Sequence, residues 1–305
     1  MSHDNVVAVG IDGSESATKA MTWALAQAKA RGARLHLVCS YELPTYAAHA
    51  TYAKQNEEGK FLYEAAEVMI KDAVAKVSGQ GVEVTYELFD GDPTSVLVEL
   101  SKKVALIVVG GRKQKDGKLI DRVLRTTSSA VPAYAYCPTV VVPNADIEAK
   151  LPVKHIVVGV DGSEHAKLAL QRAVWEADRW GAKLSVVATV NTSAVSWGVS
   201  STFRDDLFDD MKKGILAQLA EVDEGRKIDV HVHAVEGNPA LIMTEFSYSV
   251  DMLIMGTRGR GGFRGVLLGS TSQTVLEHTD CPTMIVPRRV REGDDQGPEI
   301  VPPKV

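Results

Sequence analysis

The chain contains the same text twice: VVAVGIDGSESA at 6–17 returns as IVVGVDGSEHA at 156–166. Asp161 stands 149 positions after Asp12, and that offset holds through Ala33-Arg34-Leu35 against Ala182-Lys183-Leu184. It shortens to 146 where Gly91-Asp92-Pro93 meets Gly237-Asn238-Pro239, and to 144 where CPTVVVP (137–143) meets CPTMIVP (281–287). One domain has been duplicated, with small length differences confined to loops. The 305 residues then divide into two domains of ordinary size. The expected domains are 1–146 and 147–290. The polar stretch 144–153 (NADIEAKLPV) reads as the linker, and 291–305, rich in Pro, Gly and acidic residues, as a mobile tail.

Within each half, apolar runs of strand length alternate with stretches of helical period. In the second half the pattern predicts strands near 154–160, 183–190, 228–235, 251–256 and 283–287. It predicts helices over 163–180, 203–223, 238–248 and 270–279, with Ser163 and Asn238 suited to cap their N-termini. Apolar strands of this kind are buried on both faces and are joined by right-handed helical crossovers. The expected fold is α/β: two tandem doubly wound domains, each a five-stranded parallel sheet with helices on both faces. In such sheets ligands settle outside the carboxyl ends of the strands, where strand order reverses.

Charge and cysteine content narrow the function. A net charge of -5 argues against nucleic acid or anionic lipid as a general partner, because both need a basic face. Three scattered cysteines, Cys39, Cys137 and Cys281, are too few for a disulfide framework or a four-ligand zinc site and read as buried small hydrophobes. No apolar run approaches the ~20 residues of a membrane span, and MSHDNVV lacks the features of a secretory signal, so a cytoplasmic location is expected.

The loop after the fourth strand of the second half runs from Met255 to Ser272 and carries six glycines between Gly256 and Gly269. Glycines give the backbone access to positive φ and remove the Cβ atoms that hold a phosphate chain away. Gly269-Ser270 then opens a helix, whose unpaired N–H groups and dipole favour an anion, and the hydroxyls of Ser270, Thr271 and Ser272 add donors. Arg258, Arg260 and Arg264 are positioned to screen phosphate charge. The loop lacks the Gly-Lys-Ser/Thr ending of a Walker loop, which argues for holding a nucleotide over rapid turnover. Asp161 closes the first strand, at the same sheet edge as the loop if strand order reverses between strands one and four. Alone it reads as a turn aspartate; together with the loop it reads as a contact to base or sugar.

With both halves considered, the sequence resembles a tandem universal stress protein. The carrier is the nucleotide signature Gly-x2-Gly-x9-Gly-Ser/Thr, met by Gly256, Gly259, Gly269 and Ser270. The resemblance implies ATP as ligand, commonly with Mg2+. Asp161 and the backbone near Thr189 would meet the adenine end, Met255, Gly256, Arg258 and Gly259 the ribose and phosphates, and Gly269, Ser270, Thr271 and Ser272 the phosphate tail. It also implies a homodimer, often formed through the last strand, here 283–287, and a role as a stress-response regulator or sensor of nucleotide state, with a regulatory protein partner. A slow ATPase or autophosphorylating protein is the alternative, as is an interaction scaffold binding AMP, cyclic AMP or no nucleotide.

The first half departs from that signature. Lys113 stands where Gly259 stands and Arg125 where Gly269 stands, although Asp12, Gly110 and Thr126 remain. Weak nucleotide binding or none is expected there. Among other features, His231-Val232-His233 puts two histidines on one strand face without a third ligand and reads as an exposed face, not a metal site. Trp175 and Trp180 read as packing residues. No nucleophile elbow, zinc-protease helix or catalytic carboxylate pair is present.

Overall fold

A computed structural model describes residues 5–42, 57–111, 127–143, 149–190, 201–259 and 267–288. The chain forms two compact units, one reaching Asn144 and the other spanning Ala145–Arg288.

In the first unit the order is β1 (Val6–Gly10), α1 (Glu15–Arg31), β2 (Arg34–Tyr41), α2 (Glu57–Val77), β3 (Val84–Asp90), α3 (Pro93–Leu100), β4 (Leu106–Gly110), α4 (Thr127–Tyr134) and β5 (Thr139–Val142). The second repeats it as β6 (His155–Val160), α5 (Glu164–Trp180), β7 (Lys183–Val190), α6 (Ser201–Val222), β8 (Val230–Glu236), α7 (Pro239–Ser247), β9 (Met252–Gly256), α8 (Ser270–His278) and β10 (Thr283–Val286). All the strand pairs within each unit are parallel, in the order β3-β2-β1-β4-β5 and β8-β7-β6-β9-β10. The doubly wound five-stranded sheet expected from the sequence is therefore present in each half.

Two glycines show that helices cover both faces. A Cβ added to Gly159 would meet the Met243 side chain of α7 at 3.3 Å, whereas one added to Gly256 would meet the His165 carbonyl oxygen of α5 at 2.8 Å. The register sets Val158 beside Ile254, which carries Val160 to Gly256 and Gly159 to Met255; successive residues face opposite sides, as a pleated strand requires. The central strands are apolar throughout: Ile156, Val157, Val158, Leu253 and Ile254 are fully buried.

The helices begin where the sequence places capping residues. Ser163 Oγ accepts from the Ala166 N–H at 3.2 Å, and Asn238 Oδ1 from the N–H groups of Ala240 and Leu241 at 2.9 and 3.3 Å. Ser14 and Asp92 cap α1 and α3 in the same way. Gly32 and Gly181, at φ 59° and 61°, close α1 and α5 in the left-handed conformation that costs glycine little.

Smaller expectations met mixed outcomes. All three cysteines are buried. Trp175 is half-buried on α5, consistent with packing. His231 is exposed and bonded to Asp229 at 3.0 Å, but His233 is half-buried, its ring centroid 6.4 Å from that of Phe246 on α7, so the face is not fully exposed. Among the described residues no group of three or more His, Cys, Asp or Glu is arranged for a metal, and no helix is long and apolar enough to cross a membrane. The tail 291–305, Arg260, Arg264 and the first-half positions Lys113, Arg125 and Thr126 lie outside the described residues.

Candidate functional site

Strand order turns back between β6 and β9. The chain leaves β6 toward β7 and β8, then returns to place β9 on its other side. The segments leaving their carboxyl ends therefore diverge, and Asp161 and the loop that begins at Thr257 both stand at this edge, where sheets of this class take their ligands.

Asp161 is held by its own turn. Its Oδ1 accepts from the Ser163 N–H at 3.0 Å, across Gly162 at φ 76°. Asp12 does the same with Ser14 at 2.9 Å across Gly13 at φ 77°. The structural reading of Asp-Gly-Ser is thus realised in both halves. It does not exhaust Asp161, because a Cβ on Gly259 would collide with the other carboxylate oxygen, Oδ2. The carboxylate and the glycine loop touch, and a side chain at 259 would push the Asp161 carboxylate aside.

The loop is closed on itself by two bonds. The Gly269 N–H donates to the Thr257 carbonyl at 2.7 Å, and Ser272 Oγ donates to the Gly256 carbonyl at 2.9 Å. This fastens the start of α8 to the end of β9. It also changes the reading of Ser272, whose side chain is buried and whose single hydroxyl proton is spent on the loop. Ser272 closes the cradle rather than adding a side-chain donor to it. Ser270 is exposed and Thr271 half-buried.

The start of α8 differs from the four capped helices above: its N-cap, Gly269, supplies no side-chain hydrogen bond. The first helical bond runs from the Gln273 N–H to the Gly269 carbonyl at 2.9 Å, which leaves the amides of Ser270, Thr271 and Ser272 without helical acceptors. Such a terminus carries a partial positive charge of roughly half a proton and favours an anion.

The three signature glycines have three different causes. Gly256 is fixed by packing, since its Cβ would lie 2.8–3.0 Å from the carbonyl oxygen, carbonyl carbon and Cβ of His165. Gly259 leaves room for the Asp161 carboxylate, which a Cβ would displace. Gly269 is fixed by neither, because it sits at φ -70° and a Cβ there would find nothing nearer than 3.4 Å. Any residue fits that backbone, so the fold alone does not require glycine at 269.

Of the remaining candidates, Thr189 lies one residue past Ala188, the partner of Val160, and so reaches the same edge beside Asp161. Met255 is buried within β9, and its side chain belongs to the core. Arg258 is half-buried, and its Nε is shielded from solvent with no hydrogen-bond partner among the described residues. His165, on the first turn of α5, was not read as a site residue. Burial, then the charges of Arg258 and Arg288, push its imidazole below the usual range, against the pull of Asp161 and Glu164. The two copies of the repeat hold the missed signal, for they read DGSES in the first half and DGSEH in the second.

Comparison with known proteins agrees with the repeat. The family model described as the universal stress protein family matches residues 5–143 and again 152–287. A universal stress protein of Mycobacterium bovis is 28% identical over 303 residues, covering 92% of this chain and 94% of its own. One of Mycolicibacterium smegmatis is 28% identical over 289 residues, covering 92% and 96%. The crystal structure of a universal stress protein from Archaeoglobus fulgidus superposes with a TM-score of 0.69 at 22% identity, covering 93% of this chain and 98% of that one, and shares the fold.

Proposed function

This chain belongs to the universal stress protein family, and from that premise we propose that its second domain binds ATP, as a nucleotide-responsive regulator and not as a rapid-turnover enzyme. The observation that carries the reading is the start of α8: an uncapped helix N-terminus, opened by a glycine the backbone does not demand, fastened beside a glycine loop at the switch point of the sheet. A helix end normally recruits a side chain for its free amides. Leaving them open is useful where an anion takes that place.

In this reading the amides of α8 and the Ser270 and Thr271 hydroxyls hold the phosphate tail, and Ser272 keeps the loop closed. Gly256, Arg258 and Gly259 line the middle of the nucleotide, with Asp161, Thr189 and the Met255 main chain toward the adenosine end. Mg2+ would arrive on the phosphates, since it keeps several waters and takes few protein ligands in nucleotide sites. The absence of a Gly-Lys-Ser/Thr ending removes the lysine that polarises a γ-phosphate, which supports holding over turnover.

Native mass spectrometry of protein purified without added nucleotide, followed by denaturing extraction and by addition of ATP, AMP or cyclic AMP, tests this. One ATP per chain is expected, and the same spectrum reports whether the chain is a dimer. Gly269→Arg, which copies Arg125 of the first half, should abolish binding while leaving the fold intact. Wild-type protein that ignores all three nucleotides would sink the proposal, and so would Gly269→Arg protein that binds normally.

A further inference from the structure

We propose that His165 is an ionisable component of the anion site, taking up a proton when a polyphosphate binds and so tightening nucleotide binding as pH falls. The inference rests on the nucleotide reading above and adds a residue to it.

Geometry carries the argument. The His165 carbonyl oxygen and Cβ lie 2.8 and 3.0 Å from where a Gly256 Cβ would be, so this residue packs directly against the start of the glycine loop. Its Nε2 is shielded from solvent and has no hydrogen-bond partner among the described residues, and the same is true of Arg258 Nε. Two side chains close enough to interact electrostatically thus each keep a buried polar atom unpaired beside the glycine loop. Such atoms are costly, and a bound anion would offer both an acceptor.

The charges around His165 identify that something. Arg258 comes from the loop after β9 and Arg288 from the segment after β10; Asp161 follows β6, and Glu164 shares α5. Burial first, and then the two cations, push the imidazole pKa down, and the two carboxylates do not overcome them. A polyphosphate placed against Arg258 and the start of α8 adds several negative charges to this set. It neutralises the guanidinium field, and the balance at His165 then favours the imidazolium.

The first half supplies an internal contrast. At the position of His165 it has Ser16, whose hydroxyl is bonded to Ser14 Oγ at 2.9 Å, and at the position of Arg288 it has Asn144. The half that has lost the loop glycines also lacks the imidazole and one of its cations.

The test uses the full chain and ATP. The ring signals of His165, followed by NMR through a pH titration with and without saturating ATP, give its pKa in each state without any mutation. A rise on binding is expected, and each unit of rise corresponds to about tenfold in affinity between high and low pH. Calorimetric affinities of wild type and His165→Gln from pH 8 to pH 6 are the second measurement. Proton uptake by ATP itself is common to both proteins, so the ratio of their affinities isolates His165. That ratio should grow in favour of wild type by about fivefold or more as pH falls. An unmoved His165 pKa, or a constant ratio, overturns the proposal while ATP binding stands. Absence of ATP binding at every pH overturns the nucleotide reading itself.

Discussion

Replacing Gly269 by Asp should make the protein more stable and worse at binding ATP. In the structure residue 269 is the N-cap of α8, at φ -70° and ψ 154°, with a Cβ position no closer than 3.4 Å to other atoms. Aspartate adopts that conformation without strain and caps well, gaining a few tenths of a kcal/mol over glycine. Its charge at the positive end of the helix adds about 0.3–1 kcal/mol. Restricting the unfolded chain adds about 0.4–1 kcal/mol. Together these give about 1–2 kcal/mol, a rise in melting temperature of about 5 °C for a domain of this size. The same carboxylate would occupy the amides offered to phosphate and repel it, costing at least a hundredfold in affinity, or about 2.7 kcal/mol. Calorimetric melting of ligand-free protein and titration with ATP read the two effects separately. A lower melting temperature, or an ATP affinity within about threefold of wild type, would refute the reasoning that the open cap serves an anion.

Two other perturbations have signs set by the structure. Gly256→Ala drives a Cβ to 2.8 Å from backbone of α5, an overpacking that should lower stability by about 2–3 kcal/mol in denaturant unfolding, whereas Gly269→Ala should change it by less than about 1 kcal/mol. For pH, burial lowers the imidazole pKa of His36, His155 and His233; Lys183 adds to the effect at His155, and His231 and Lys183 add to it at His233. The folded state then resists protons that the unfolded state accepts, so these groups contribute fully above about pH 6.5, and their contribution is lost as pH falls through that value toward the depressed pKa values. The urea midpoint of ligand-free protein should accordingly drop between pH 7.5 and pH 5.5.

Much of the fold was legible because duplication and strand–helix alternation are periodic signals. The expected helix 163–180 is observed as Glu164–Trp180, and the expected strand 251–256 as Met252–Gly256. Strand order was not legible, because right-handed crossovers fix the hand of a connection and not which strands become neighbours. The edge at which Asp161 and the glycine loop meet was read on condition that the order reverses between the first and fourth strands, as it does. What escaped was the division of labour among groups that look alike in one dimension. Ser270, Thr271 and Ser272 are equivalent as text, yet helical rotation turns only Ser272 inward to the Gly256 carbonyl. His165 escaped because a histidine two residues past a capping serine is ordinary until the strand carrying Gly256 is laid against it.

The close approach of β9 to α5 also governs how the two halves of this chain can drift apart. In the first half a Cβ on Gly110 would come within 2.6 Å of the Ser16 carbonyl group, tighter still than its counterpart. Packing of the sheet therefore accounts for that glycine whether or not this copy holds a ligand. A sequence comparison that counts Gly110 toward nucleotide binding is scoring masonry as plumbing. The informative position is the one the architecture leaves unconstrained, the third glycine, where one copy kept Gly269 and the other took Arg125.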